Sequence, residues 1–313
     1  MTASIGIAVG RPDLIGNRDL LRHADAALHR AKDGGRDRIE VFDDTARAAL
    51  SRRVQDEQAV RRALHRHEFM PWYQPIVDAT TGRIVGAELL ARWLVEGVSD
   101  PVPAAAFIDV VAESGLMDQL SESVIERGLV DLANWERHGL PDDFRLSVNL
   151  PPRYTSSTGR VHRLVALLTG GPCRRLTVEV TESSVVDDAK VAARRLAELR
   201  GRGLTVALDD FGTGAASLTL LQTLPLDAVK IDRSFVTHMV DEPRDRALVR
   251  GFNSLAHDLG LSVTAEGVET VEQANSLLAL GCNIQQGYLY GAAMPATAFE
   301  RQMRTQIGAD VPV

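Results

Sequence analysis

Glu88, Asn149, Glu179, Asp209, Asp210, Lys230, Glu266 and Gln286 are the residues of this 313-residue chain whose types and spacing could do chemistry. All but Glu88 fall at the C-terminal end of a short apolar, strand-like run, and Glu88 lies within one. A charged side chain in a mostly buried strand is costly unless it is paired or bound to a metal. Singly, each has an ordinary explanation, since Glu179 could cap a helix and Lys230 could snorkel. Five carboxylates with two amides and a lysine on successive strands are not explained by packing. Hard divalent cations such as Mg²⁺ and Mn²⁺ take oxygen ligands, and no cluster of His or Cys competes for a softer metal. The adjacent pair Asp209-Asp210 is the most informative, because one carboxylate could bridge two ions while the other holds only the second. Two ions ~4 Å apart clamp the attacking and leaving oxygens of a phosphoryl displacement. Phe211-Gly212-Thr213-Gly214 follows directly, either a tight turn or a loop that closes over the site.

Strand-helix alternation must position these residues. Strands are expected at Trp72 to Val77, Ile84 to Trp93, Arg145 to Leu150, Leu176 to Thr181, Thr205 to Asp209, Ala228 to Asp232, Ser262 to Ala265 and Ile284 to Tyr288. Helical patterns run from Pro103 to Ser114, Gln119 to His138, Ala189 to Arg202, Ala215 to Leu224, Pro243 to Leu259 and Val271 to Leu280. Gly203, Gly260 and Gly281 each follow a helix, where a left-handed cap is expected. The alternation is equally that of an open doubly wound sheet. Polar residues gathered at one set of strand ends favour a parallel (β/α)8 barrel, whose active sites open on that face.

Upstream, a strand from Thr2 to Val9, a loop with Pro12 and Gly16, a helix from Asp19 to Lys32 and a strand from Asp37 to Phe42 are too few to hold a core alone. Ala49, Leu50, Val54, Ala59, Val60, Ala63 and Leu64, set among Arg, Asp and Glu, suit one long solvated helix from Thr45 to His67. The expected division is a small unit over 1–43, a linker helix over 44–68 and a main domain over 69–313. Hydrophobic residues make up 45% of the chain and charged residues 25%, an ordinary globular composition. A net charge of -7 argues against binding polymeric nucleic acid, which needs a basic face, though metal ions in an acidic pocket would still admit a small anion. Cys173 and Cys282 lack a Cys-x-x-Cys spacing, which argues against a disulfide framework or structural zinc. The opening residues lack a signal-peptide pattern and no apolar run reaches spanning length, so a cytoplasmic location is expected.

The stretches YQPIVD, GAELLARW, FIDVVAESG, LSVNL, LTVEVTE, LDDFGTG, LDAVKIDRSFV, TAEGVET and QGYLYG, in that order, resemble EAL-domain cyclic di-GMP phosphodiesterases from about Phe69 to Pro295. The resemblance implies a modified TIM barrel with one strand running opposite to the rest, often dimeric through that domain. It implies hydrolysis of cyclic di-GMP to 5′-pGpG with two Mg²⁺ or Mn²⁺ ions. Carried over position by position, Glu88 is the signature glutamate, and Asn149, Glu179 and Asp209 complete the first ion's ligands. Asp209 with Asp210 serves the second. Lys230 lies near the attacking water. Glu266 and Gln286 act on the second ion's water shell, Glu266 also as a proton acceptor. Arg92 matches a phosphate-contacting arginine, Gln74 a substrate-side glutamine, and Glu182 and Glu269 acidic positions that steady the glycine loop. SIGIAV and HADAALHRAKDGGRDRI resemble the C-terminal end of a GGDEF domain whose cyclase signature is absent.

Four positions depart from the family pattern. The signature reads Glu88-Leu89-Leu90, with leucine for the middle alanine; Ala215-Ala216 stands where Tyr-Ser is frequent; Pro151 replaces a serine. Strand side chains alternate in direction, so Leu89 is expected to point away from Glu88 and to affect packing rather than ligation. One rival reading is a non-catalytic receptor for cyclic di-GMP or a protein-interaction module, which the complete ligand set disfavours. Another is an enolase-like Mg²⁺ barrel, which the adjacent Asp pair disfavours.

Overall fold

The computed structural model describes residues 3–9, 17–42, 44–156, 166–167, 173–185, 188–214 and 217–309. The loop with Pro12 and Gly16 and the pair Ala215-Ala216 lie outside them, as do the side chains of Ala49, Leu50 and Val54. Two compact units form, 1–62 and 63–313. Their boundary falls inside the helix Asp44–His65, so the linker helix foreseen from the sequence is divided between them.

In the first unit, β1 (Ile5–Ala8) and β2 (Ile39–Phe42) pair in parallel and the helix Asn17–Asp33 covers one face. Gly6 makes that contact possible, because a Cβ there would lie 2.3 Å from the Ala24 carbonyl oxygen.

The second unit is a closed barrel of eight strands. These are β3 (Phe69–Asp78), β4 (Arg83–Trp93), β6 (Arg145–Asn149), β7 (Leu176–Thr181), β8 (Thr205–Phe211), β9 (Ala228–Ile231), β10 (Ser262–Ala265) and β11 (Ile284–Gln286). A further strand, β5 (Val102–Pro103), adds antiparallel to β4. β3 is antiparallel to both β4 and β11, while the other barrel pairings are parallel. The eight expected runs are these eight strands; β7 and β10 have the expected ends and the other six differ at one end or both. β11 ends at Gln286, and the Gly287 that follows packs closely on Val268, where a Cβ would sit 2.0 Å from a carbonyl oxygen.

The expected helix from Pro103 to Ser114 is broken into a 3₁₀ turn, Ala104–Ala106, and a helix, Ile108–Glu113. Phe107 causes the break: its φ of -132° is not helical, and its ring is buried against Phe69 and Trp93. The expected elements include neither the two-residue β5 nor the helices Pro152–Ser156, Glu182–Val185, Arg233–Thr237 and Ala296–Ala309, of which all but the last are too short for a helical period to register. Gly203, Gly260 and Gly281 take φ of 95°, 75° and 79°, the left-handed caps foreseen for them. The apolar core lies between the outer strand faces and the helices, with Tyr73, Trp135, Phe144 and Phe299 in mutual ring contact. The inner strand faces carry the polar residues.

Candidate active site

Register sets which side chains meet inside the barrel. Gln74 pairs with Glu88 across β3–β4, Glu88 with Ser147 across β4–β6, and Asn149 with Glu179 across β6–β7. Lys230 pairs with Thr264, two residues before Glu266. Strand neighbours share a face at paired positions, so these side chains converge at one mouth. Gln74, Glu88, Glu266 and Gln286 line, with Asp209 and Asp210, a cavity of about 280 Å³ that also takes in Leu90, Asp232, Arg233, Glu269 and Tyr288, while Asn149, Glu179 and Lys230 are not among its lining residues.

Asp209 and Asp210 should point to opposite faces of β8, yet both line this cavity. The pairing of β8 with β9 shifts register between Leu208 and Phe211, and Asp210 has φ 55°. The irregularity and the left-handed residue together re-aim Asp210 to the side of Asp209. Asp210 N donates to Asp209 Oδ1 at 3.0 Å, fixing the first carboxylate.

Lys230, 2% exposed, sits at the centre. Its Nζ is 2.6 Å from Glu266 Oε1, 3.0 Å from Glu179 Oε2, 3.3 Å from Glu88 Oε2 and 3.5 Å from Asp209 Oδ1. Burial would lower the ammonium's pKa, but the four carboxylates outweigh it and hold it well above its ordinary value. Around Glu88, Asn149 Nδ2 donates to Oε1 at 2.9 Å and Gln286 Nε2 to Oε2 at 2.7 Å. Burial pushes Glu88 up, and Lys230 with those two amides reverses the shift, leaving it below the glutamate range. Burial raises Glu179 well above that range, opposed by Lys230 and reinforced by Glu88, Asp209 and Glu266. Burial likewise lifts Asp210, with Asp209 adding to it, and pushes Glu266 up to about 7 against the pull of Lys230.

The donor set fits a hard cation. Carboxylate oxygens of Asp209, Asp210 and Glu266 lie within 4.8 Å of one another. Buried polar atoms are normally hydrogen-bonded, yet Glu179 Oε1 and Gln286 Oε1 have no hydrogen-bond partner among the described residues. One ammonium among five carboxylates leaves a negative excess that divalent ions would offset. Glu266 and Asp209 belong both to this carboxylate group and to the ring of partners around Lys230, whereas Glu88 and Glu179 contact Lys230 and Asn149 bonds to Glu88.

The remaining residues named from the sequence are placed less uniformly. Gln74 Oε1 accepts from Gln286 Nε2 at 3.2 Å, and Gln74 Nε2 donates to Gly291 O at 3.3 Å. Arg92 stands over the Trp72 ring, its guanidinium carbon 5.9 Å from the centroid, and is not among the residues lining the cavity. Burial lowers its pKa against the opposing pull of Tyr288 and Glu88. Glu182 Oε1 accepts from Gly212 N at 3.2 Å, and a Cβ on Gly214 would lie 2.1 Å from Glu182 Oε2, so that carboxylate lies against the glycine loop. Glu269 lines the cavity, but no hydrogen bond joins its carboxylate to that loop among the described residues. Sequence reading passed over Asp232, Arg233 and Tyr288. Each stands within three positions of a quoted site residue, and that proximity was the available signal.

Comparison with known proteins agrees with this geometry. Residues 57–293 match the family described as EAL domain. A bifunctional diguanylate cyclase/cyclic di-GMP phosphodiesterase, MucR of Pseudomonas aeruginosa, is 35% identical over 300 residues, 95% of this chain and 43% of MucR. An uncharacterized protein of Azorhizobium caulinodans is 38% identical over 284 residues, 88% of this chain and 38% of that protein. The chain spans between 33% and 49% of the length of the curated relatives it matches. Among solved structures, the P. aeruginosa MucR phosphodiesterase in complex with c-di-GMP superposes with a TM-score of 0.74 at 34% identity, covering 78% of this chain and 99% of that one. The EAL domain of Mycobacterium smegmatis DcpA superposes with a TM-score of 0.63 at 30% identity, covering 77% and 97%. With the barrel, the strand-end carboxylates and a match over most of its length, this chain belongs to the EAL domain family.

Proposed function

We propose that this chain hydrolyses one phosphodiester of cyclic di-GMP to give 5′-pGpG, with two Mg²⁺ or Mn²⁺ ions held at the barrel mouth. The observation that carries the proposal is the convergence of Glu88, Glu179, Asp209 and Glu266 around Lys230, with Asp210 beside Asp209 in the adjoining cavity. The name of MucR, which includes cyclic di-GMP phosphodiesterase, supplies the substrate class. Glu88, Asn149, Glu179 and Asp209 would hold one ion, and Asp209 with Asp210 the other. When bound, such ions neutralise charge on a phosphate and lower the pKa of water. Lys230 fixes the four carboxylates and donates toward the attacking water. Glu266, beside both Lys230 and the Asp pair, accepts that water's proton. Gln286 and Gln74 hold the Glu88 side of the site, and the Arg92 fork orients a phosphate. Glu182 steadies the loop at Gly212. The upstream unit is proposed to correspond to the C-terminal end of a GGDEF-like domain, and the EAL domain to form a homodimer.

Incubation of the purified chain with cyclic di-GMP and Mg²⁺ or Mn²⁺, followed by chromatography, is expected to yield 5′-pGpG. Calorimetric binding of cyclic di-GMP with no product formed would make the chain a receptor instead.

A further inference from the structure

Leu89, the leucine that replaces the signature alanine, lies on the outer face of β4 and is 6% exposed. Its side chain enters a notch in the helix Met117–Arg137, where Gly128 stands. A Cβ on Gly128 would lie 2.2 Å from Leu89 Cδ1 and 3.9 Å from Leu146 Cδ2. The absent side chain of one residue is thus filled by the other. Three residues along the same helix, Asp131 Oδ2 accepts from Tyr73 Oη at 2.5 Å, and a turn further Trp135 packs edge-on to the Tyr73 ring at 4.7 Å. Positions 128, 131 and 135 share one helix face. Tyr73 and Leu89 are paired residues of β3 and β4. One helix face therefore grips the antiparallel seam that closes the barrel, and it does so one residue away from the next pair, Gln74 with Glu88.

We infer that Gly128 is a positioning residue: by admitting Leu89 it sets the depth of β4, and with it the place of Glu88 inside the barrel. The inference rests on the metal-site reading only for its ion-binding arm. Glu88 is held by Asn149, Gln286 and Lys230 at 2.9, 2.7 and 3.3 Å, so a displacement of several tenths of an ångström breaks that arrangement. Leu146, lining the same notch, limits the room Leu89 has to turn aside.

The test is a cycle of Gly128→Ala, Leu89→Ala and both together in the full chain. One readout is Mn²⁺ affinity by calorimetry. The other is the side-chain amide resonances of Asn149 and Gln286, both of which donate to Glu88, in ¹⁵N-labelled protein without metal. G128A is expected to move those resonances and weaken Mn²⁺ binding about tenfold or more, and L89A/G128A to restore both toward the parent. A contact that matters only for packing would change the melting temperature and leave both readouts alone. Unmoved resonances in a folded G128A, with Leu89 simply adopting another rotamer, would overturn the inference. If G128A does not fold, L89A and the double variant carry the test. Loss of the seated side chain in L89A is expected to shift the same resonances, and the methyl that Gly128→Ala adds to the emptied notch is expected to reverse part of that shift. No change of the resonances in L89A would overturn the inference. A parent that binds no Mn²⁺ while G128A moves the amides as expected would refute the metal site and leave the positioning role standing.

Discussion

The Lys230 ammonium lies 2.6 Å from Glu266 Oε1, the shortest of its four carboxylate contacts. The lysine holds together a cluster whose carboxylates repel one another, and three of those partners, Glu88, Asp209 and Glu266, line the cavity. Buried like charges without a counter-ion are destabilising, so the whole constellation depends on that one side chain or on bound cations.

Lys230→Met is accordingly expected to lower the stability of the metal-free protein by about 3–5 kcal/mol, the usual cost of stranding a buried charge. Added Mn²⁺ should recover part of that loss, because it replaces the missing positive charge. Thermal melts with EDTA and with Mn²⁺ check both halves, and equal melting temperatures for parent and variant in EDTA would contradict the charge-balance account.

Hydrolysis is expected to vanish with EDTA and to return with Mg²⁺ or Mn²⁺, because the site offers only oxygen ligands. Ca²⁺, larger and laxer in geometry, should inhibit. Chromatography of 5′-pGpG across this ion series measures the outcome; full activity after metal stripping would sink the metal-dependent mechanism.

Glu88→Ala and Glu266→Gln should separate ligation from proton transfer. The first deletes the acceptor on which Asn149, Gln286 and Lys230 converge, so ion binding and turnover should be lost together. The second keeps shape and removes a proton acceptor, so turnover should fall by about 100-fold or more while cyclic di-GMP binding largely survives. Calorimetry run beside product analysis distinguishes the two.

Gly212→Ala should destabilise the glycine loop twice over. Gly212 has φ 98°, and an added Cβ would meet the Phe252 and Phe235 rings at 2.8 and 2.9 Å. Left-handed strain of about 1–2 kcal/mol and overpacking of about 1–3 kcal/mol predict a clearly lowered melting temperature, with activity reduced in the surviving folded protein.

The two cysteines should differ toward an aromatic disulfide reagent at pH 8. Burial pushes the Cys282 thiol up to about 12 and hides it, whereas Cys173 is only half-buried. One thiol should titrate in the native protein and two after denaturation, as absorbance would report.

The sequence alone carried the positions of the eight strands, the helical caps at Gly203, Gly260 and Gly281, and the polar residues at successive strand ends. Those features are local: apolar alternation and a glycine after a helix act through neighbours in the chain. Even the direction of Leu89 followed from strand alternation. The partner of Leu89 did not, because Gly128 is 39 residues away and its missing side chain means nothing until a helix is laid across β4. Closure of the barrel through β3 against β4 and β11 also needed the tertiary structure, since an open sheet shows the same local periodicity. The Asp209-Asp210 pair shows the division most sharply. Its composition announced a cation site, but strict alternation would have sent Asp210 away from it. Only the irregular pairing of β8 with β9 and the left-handed backbone at Asp210 bring both carboxylates to one cavity, and pairing between strands is decided by the closed sheet rather than by either strand alone.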